Sequence, residues 1–212
     1  MRIITSTSNF AGSIGLTIAS SLFIGAIIAV LANCFVKGIN VLFDFHQTLS
    51  SDGRVGSTWF LQFCINSCFL GLGLVFVTKL KSLLRGENWQ GPADIILASH
   101  NTHHALGLKQ GILASIASFL SLSSGASLGQ YGPIVHLGGL VGSWARQSRF
   151  APKWGADIWL GCGVAAAISA AFHAPIAGII FAHEAILRHF SARAAAPISI
   201  ASISASAFSA WR

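Results

Sequence analysis

The sequence predicts an all-α, polytopic membrane protein whose helices are broken and tilted. Three observations carry this. Of 212 residues, 53% are hydrophobic and 9% are charged, whereas a soluble domain has about 25% charged residues. The run 13–36 holds no charge, and about 20 helical residues suffice to cross a hydrocarbon core of about 30 Å. Several other apolar segments are short and interrupted by Gly and Pro, as in transporters whose half-helices end near the membrane midplane. The length allows one domain, so residues 1–212 are read as a single membrane domain, or as one half of a two-repeat transporter.

The first ten residues carry Arg2 and then polar side chains. The run 13–36 exceeds a signal-peptide core of about 7–15 residues, and no small-residue cleavage pattern follows it. It reads as a retained transmembrane helix closed by Lys37. Residues 44–57, with Asp44, Asp52, Gly53 and Arg54, read as a polar loop. The run 59–80 is a second span, with Trp59 at one interface and Lys79, Lys81 and Arg85 at the other. Breakers follow at 86–92, and Pro92 suits the first turn of a helix. The segment 93–101 is too short to span, and a histidine-rich loop follows at 101–104. Residues 111–122 form most of a span once 106–109 are added. The helical pattern breaks at 125–132 and resumes over 133–144, ahead of Arg146, Arg149 and Lys153. Residues 155–172 are rich in small side chains, as tightly packed membrane helices are. His173-Ala174-Pro175 breaks that helix, 176–187 continues it, and 194–211 is a last apolar run. Irregular backbone at membrane depth persists only where protein covers it or where it lines a cavity. Function is therefore expected at the breaks 86–92, 125–133 and 173–175.

The net charge of +7 comes from thirteen Lys and Arg against six Asp and Glu. Such a balance often marks nucleic-acid binding. Here the cations are scattered between apolar runs and form no stripe, so no nucleic-acid partner is expected and cytoplasmic loops account for them better. Cys34, Cys64, Cys68 and Cys162 sit in apolar runs without a CxxC pair and read as small packed side chains. His100, His103 and His104 imply no fixed ligand geometry, so no metal is expected. His136, His173 and His183 read as hydrogen-bonded packing residues. No Ser-His-Asp, Walker or zinc-deaminase pattern is present, so neither catalysis nor a cofactor is expected. Glu184 lies in an apolar run, where a carboxylate is functional by default, although Arg188, four residues on, is an equally good structural partner.

The segment with most chemistry is Gly125-Ala126-Ser127-Leu128-Gly129-Gln130-Tyr131-Gly132-Pro133-Ile134-Val135-His136-Leu137-Gly138-Gly139. Gly129 and Gly132 permit a sharp turn and close approach of the backbone to a ligand. Pro133 then starts a helix. The first free N–H groups of that helix, with the positive end of its dipole, make an anion site that needs no net charge. Gly129, Gln130, Tyr131, Gly132, Pro133 and Ile134 are the candidate anion-binding residues.

This segment resembles the Gly-Arg-Glu-Gly-Pro signature of the CLC family, the voltage-gated chloride channels and transporters. The segment Ala170-Ala171-Phe172-His173-Ala174-Pro175-Ile176-Ala177-Gly178, running on to Glu184, is similar to that family's Ala-Ala-Phe-Asn-Ala-Pro-Leu-Ala-Gly stretch. The resemblance covers residues 13–210. It implies a CLC-type first repeat, with the chain ending where that repeat ends. It also implies chloride or a similar small anion crossing near the midplane, and two subunits forming a dimer.

The departures from the family pattern are informative. Tyr131 stands at the position of the gating glutamate, which competes with chloride and carries protons in the exchangers. A tyrosine releases its proton only near pH 10, so it can donate a hydrogen bond or plug the path but cannot shuttle protons well. Gln130 replaces a basic residue. Alignment on Pro92 puts Gln90 where a Gly-Ser-Gly-Ile-Pro segment is expected, and Gln90 or a backbone N–H after Pro92 would substitute for the serine. Glu184 matches one inner carboxylate, and Ala185 stands where exchangers carry another. The resemblance thus implies channel-like or uncoupled anion transport rather than proton exchange. The alternatives are a pore for another small anion and a non-conducting regulatory or dimerisation subunit, pairing through 176–209.

With a cytoplasmic N-terminus, Arg2, Lys79, Lys81, Arg85, Lys109, Arg146, Arg149, Lys153, Arg188 and Arg193 fall inside, and Lys37, Arg54 and Arg212 fall outside. That bias fits a multi-pass protein of the cell (inner) membrane. It should also lock every copy in one orientation, so that two copies of this chain cannot rebuild an inverted-repeat pore.

Overall fold

The computed structural model describes residues 2–51, 59–83, 88–101, 106–149 and 151–210. Eight helices follow one another there: α1 (Arg2–Ser51), α2 (Trp59–Ser82), α3 (Pro92–His100), α4 (Leu108–Ser123), α5 (Tyr131–Arg146), α6 (Ala156–Phe172), α7 (Pro175–Phe181) and α8 (Ala192–Ala210). Residues Ala182–Leu187 prolong α7 as π-helical turns. No strand occurs among the described residues, so the all-α expectation holds.

α6 is the hub. It is apolar on every side, as a fully enclosed helix must be, and Ile158 to Ala170 are buried without exception. It packs against α1, α3, α5, α7 and α8. The closest approach is to α5, where Gly138 and Gly163 face each other. A methyl group on either would overlap the other's carbonyl, so the two backbones touch, as small-residue membrane interfaces allow. Polar ties cross the same core. The Ser169 hydroxyl donates to the Ser202 carbonyl at 2.5 Å, and the Ser202 hydroxyl donates to the Pro175 carbonyl at 2.8 Å, linking α6, α8 and α7.

Among the described residues, two helices are long and apolar enough to cross a membrane, within Ile14–Phe45 and Phe63–Ser82. The second exposes Phe63, Leu72, Leu74, Val75 and Phe76. α3 starts at Pro92 and ends after nine residues, as expected of a segment too short to span.

Several expectations need correction. Residues 44–51, expected to belong to a loop, continue α1 to Ser51. No Gly or Pro lies between residues 39 and 51, and one aspartate does not end a helix. Asp52, Gly53 and Arg54 of that expected loop lie outside the described residues, as do Arg85, His103, His104 and Arg212. α5 begins at Tyr131 rather than at Pro133. A proline fits anywhere in the first turn, because those N–H groups have no helical acceptor. Cys34, Cys64 and Cys68 are exposed, and only Cys162 is packed inside. In a membrane protein the outer face is apolar as well, so an apolar setting does not imply an interior one.

Candidate functional site

The three chain breaks singled out in the sequence come together. At the first, Gly91 caps α3, and its N–H donates to the Asp94 carboxylate at 2.7 Å. At the second, Gln130 caps α5. A methyl group on Gly132 would stand 3.7 Å from the Pro92 ring, so the N-termini of α3 and α5 lie side by side with space for about one methyl group between them. At the third, Phe172 ends α6, and His173 adopts a left-handed backbone with φ 52° before Pro175. The Tyr131 ring stacks on Phe172 with centroids 4.1 Å apart. Ser209 holds the His173 ring at 3.2 Å, in line with the packing role expected for that histidine.

Between the starts of α3 and α5 and the side of α4 lies a cavity of about 170 Å3. Gln90, Pro92, Gly132, Pro133 and His136 line it, together with Ser115 and Ser118 of α4. The wall carries no charged side chain. The α5 N-terminus contributes a partial positive charge of roughly half a unit, felt more strongly where water is scarce, whereas the Asp94 carboxylate in the first turn of α3 offsets the charge at that helix's start. The Gln90 carbonyl oxygen accepts the Gly107 N–H at 2.9 Å. That bond fixes the side chain to the start of α4 and leaves its NH2 group as the donor end. The Ser115 and Ser118 hydroxyls donate to the Gly111 and Ala114 carbonyls, each at 2.9 Å, so their lone pairs are what they offer elsewhere.

His136 departs from expectation. It is 2% exposed, and its ring nitrogens make no hydrogen bond of good geometry, only a weaker approach to the Gly91 backbone. A buried polar group without a well-formed hydrogen bond costs about 1–3 kcal/mol, and the ring stands at the cavity wall, where an occupant could supply one. Gly111 makes room for it: a Cβ there would stand 2.9 Å from His136 Nε2. The remaining candidates are dispersed. Ile134 is buried in the core. Gly129 is exposed, and Gln130 is half-buried at the helix cap. Tyr131 is 39% exposed. Glu184 is exposed on the π-helical turn and does not line the cavity. Nor does it pair with Arg188, because the π-turn and the left-handed backbone of Arg188 (φ 56°) change the four-residue spacing that pairing needs.

Sequence reasoning missed His136, Ser115 and Ser118 as wall residues. A signal was present: His136 lies three and four residues after Pro133 and Gly132, and hence on their helix face.

Residues 71–212 match the family described as voltage gated chloride channel. Over 115 residues, 54% of this chain, the sequence is 34% identical to the voltage-gated ClC-type chloride channel ClcB of Yersinia pseudotuberculosis serotype O:1b (strain IP 31758), covering 27% of that relative. Over 92 residues, 43% of the chain, it is 34% identical to the protein of the same name in Shigella flexneri, and 33% identical to that of Escherichia coli O139:H28 (strain E24377A / ETEC), covering 22% of each. The matched stretches thus span about a quarter of these relatives' lengths.

Proposed function

Because the chain belongs to the voltage gated chloride channel family, we propose that it contributes an anion path across a membrane, with chloride or a similar small anion as cargo. The observation that carries this reading is the meeting of the α3 and α5 N-termini at the cavity beside His136. An anion leaving water loses its hydration shell. Fixed N–H groups and helix dipoles replace that shell at no reorganisation cost, and without a countercharge that would trap the ion. The residues proposed to hold it are Gln90, Gly132 and Pro133 at the cavity, with Gly129, Gln130 and Ile134 shaping the loop and the first helical turn.

Tyr131 is proposed as the gate residue. Its ring is braced by Phe172, which suits a fixed constriction better than a swinging proton carrier. Transport is therefore read as uncoupled from protons. Glu184, exposed and away from the cavity, is read as an inner carboxylate at the mouth of the path. The protein is proposed to lie in the cell (inner) membrane with its N-terminus inside. It would work with a second copy or with a second-repeat half.

A second reading, a non-conducting regulatory or dimerisation subunit, draws on the apolar residues exposed on α7 and α8, among them Ile176, Ile180 and Ile203. Chloride efflux from liposomes holding the purified chain, with external pH recorded, separates the two. Chloride release without proton movement supports an uncoupled path and overturns the one-orientation argument. No release supports the second reading, or a requirement for a partner half.

A further inference from the structure

The far end of α5 carries a second cavity with a different chemistry. It encloses about 570 Å3 between α1, the last turn of α5 and the first turns of α6, a size within the ~300–1,000 Å3 range of small-ligand sites. Leu16, Ala19 and Phe23 form one apolar wall, and Trp144 and Trp159 form another. Two features make it more than an oily groove. The Trp159 indole is 2% exposed, yet its N–H has no acceptor, although a buried indole N–H ordinarily finds one. Trp154 packs against the same ring at 4.6 Å and holds it in place. The wall residues Ala145, Gln147 and Ala151 also alternate with cations: Arg146 and Lys153 are both exposed, and residues 131–155 contain no Asp or Glu.

Position in the membrane narrows the occupant. α5 has 16 residues, so this end lies about 24 Å from Tyr131. Cations avoid the hydrocarbon core, so Arg146 and Lys153 mark the headgroup layer. We infer that this groove holds one anionic phospholipid. An acyl chain lies between α1 and the two tryptophans, an ester or phosphate oxygen accepts the Trp159 N–H, and the anionic head faces Arg146 and Lys153. The inference rests on the membrane reading of the chain and is independent of anion conduction.

Native mass spectrometry of the full chain, released from detergent containing equal phosphatidylglycerol and phosphatidylcholine, tests it. One phosphatidylglycerol should stay bound with a preference of about tenfold or more. The double variant Arg146→Gln/Lys153→Gln should lower that retention about thirtyfold, at roughly one near-surface cation's contribution each. Its melting temperature in lipid-free detergent should not change. Trp159→Phe should weaken both lipids alike, and Ala19→Trp, which fills the groove, should exclude both. Equal retention of the two lipids by the parent chain overturns the proposal without recourse to any variant. So does unchanged retention by the double variant, or a second copy of the chain bound in place of lipid and displaced by Ala19→Trp.

Discussion

The Tyr131 ring lies on the Phe172 ring with planes inclined by 26°, so the first residue of α5 is braced by the last residue of α6. The two residues are 41 positions apart and flank two separate chain breaks. Their stack joins the loop before α5 to the turn before α7, and it limits how far the phenol can swing.

If this brace holds the gate closed, loosening it should open the path. Phe172→Ala removes a stack of about 0.5–1.5 kcal/mol and should raise chloride flux in liposomes severalfold, with selectivity retained. Tyr131→Phe keeps the stack and removes the hydroxyl, so its effect should fall on anion selectivity instead. Identical effects from both substitutions would refute a division of labour between ring and hydroxyl.

His136 offers a cleaner test of the cavity. His136→Leu removes two ring nitrogens without a well-formed hydrogen bond from a buried site. In a dry cavity this change should be neutral or stabilising, and flux should not respond. With an anion or its water in the cavity, flux should fall about tenfold, the equivalent of one net hydrogen bond of roughly 1.4 kcal/mol, while thermal stability is kept. His136→Gln retains an N–H donor and should keep most of the flux.

The α5–α6 contact sets the position of both Tyr131 and His136. Gly138→Val or Gly163→Val places a side chain against backbone and should cost about 1–3 kcal/mol, as overpacking does. That loss would be read as a lower melting temperature in detergent. Gly71→Ala on α2, where nothing stands within 4 Å of the new methyl, should cost nothing. A similar loss at Gly71 would argue against the α5–α6 interface as the special site.

Orientation can be checked with a single cysteine at position 52 in a chain whose Cys34, Cys64, Cys68 and Cys162 are replaced by alanine. An impermeant thiol reagent should label it only from outside the cell. Equal labelling from both sides would show dual insertion, and the charge-bias argument would fail.

The class and the helix breaks were legible in the residues alone. These depend on local chemistry: apolar runs, proline without an N–H, glycine at a turn. Pro92 opens α3 and His173-Ala174-Pro175 parts α6 from α7 as the residues alone require. Which apolar helix is interior follows instead from the packing between helices. α2 and α6 are both apolar all round, yet α6 is enclosed while α2 exposes most of its surface, because lipid and protein core reward the same side chains. The same packing sets Pro92 beside Gly132, rests Tyr131 on Phe172 and leaves the His136 nitrogens without a well-formed hydrogen bond. Those facts follow from how closely α5 approaches α6 and how α4 leaves a gap at Gly111. They are consequences of helix crossing geometry, which the order of residues along any one helix does not contain.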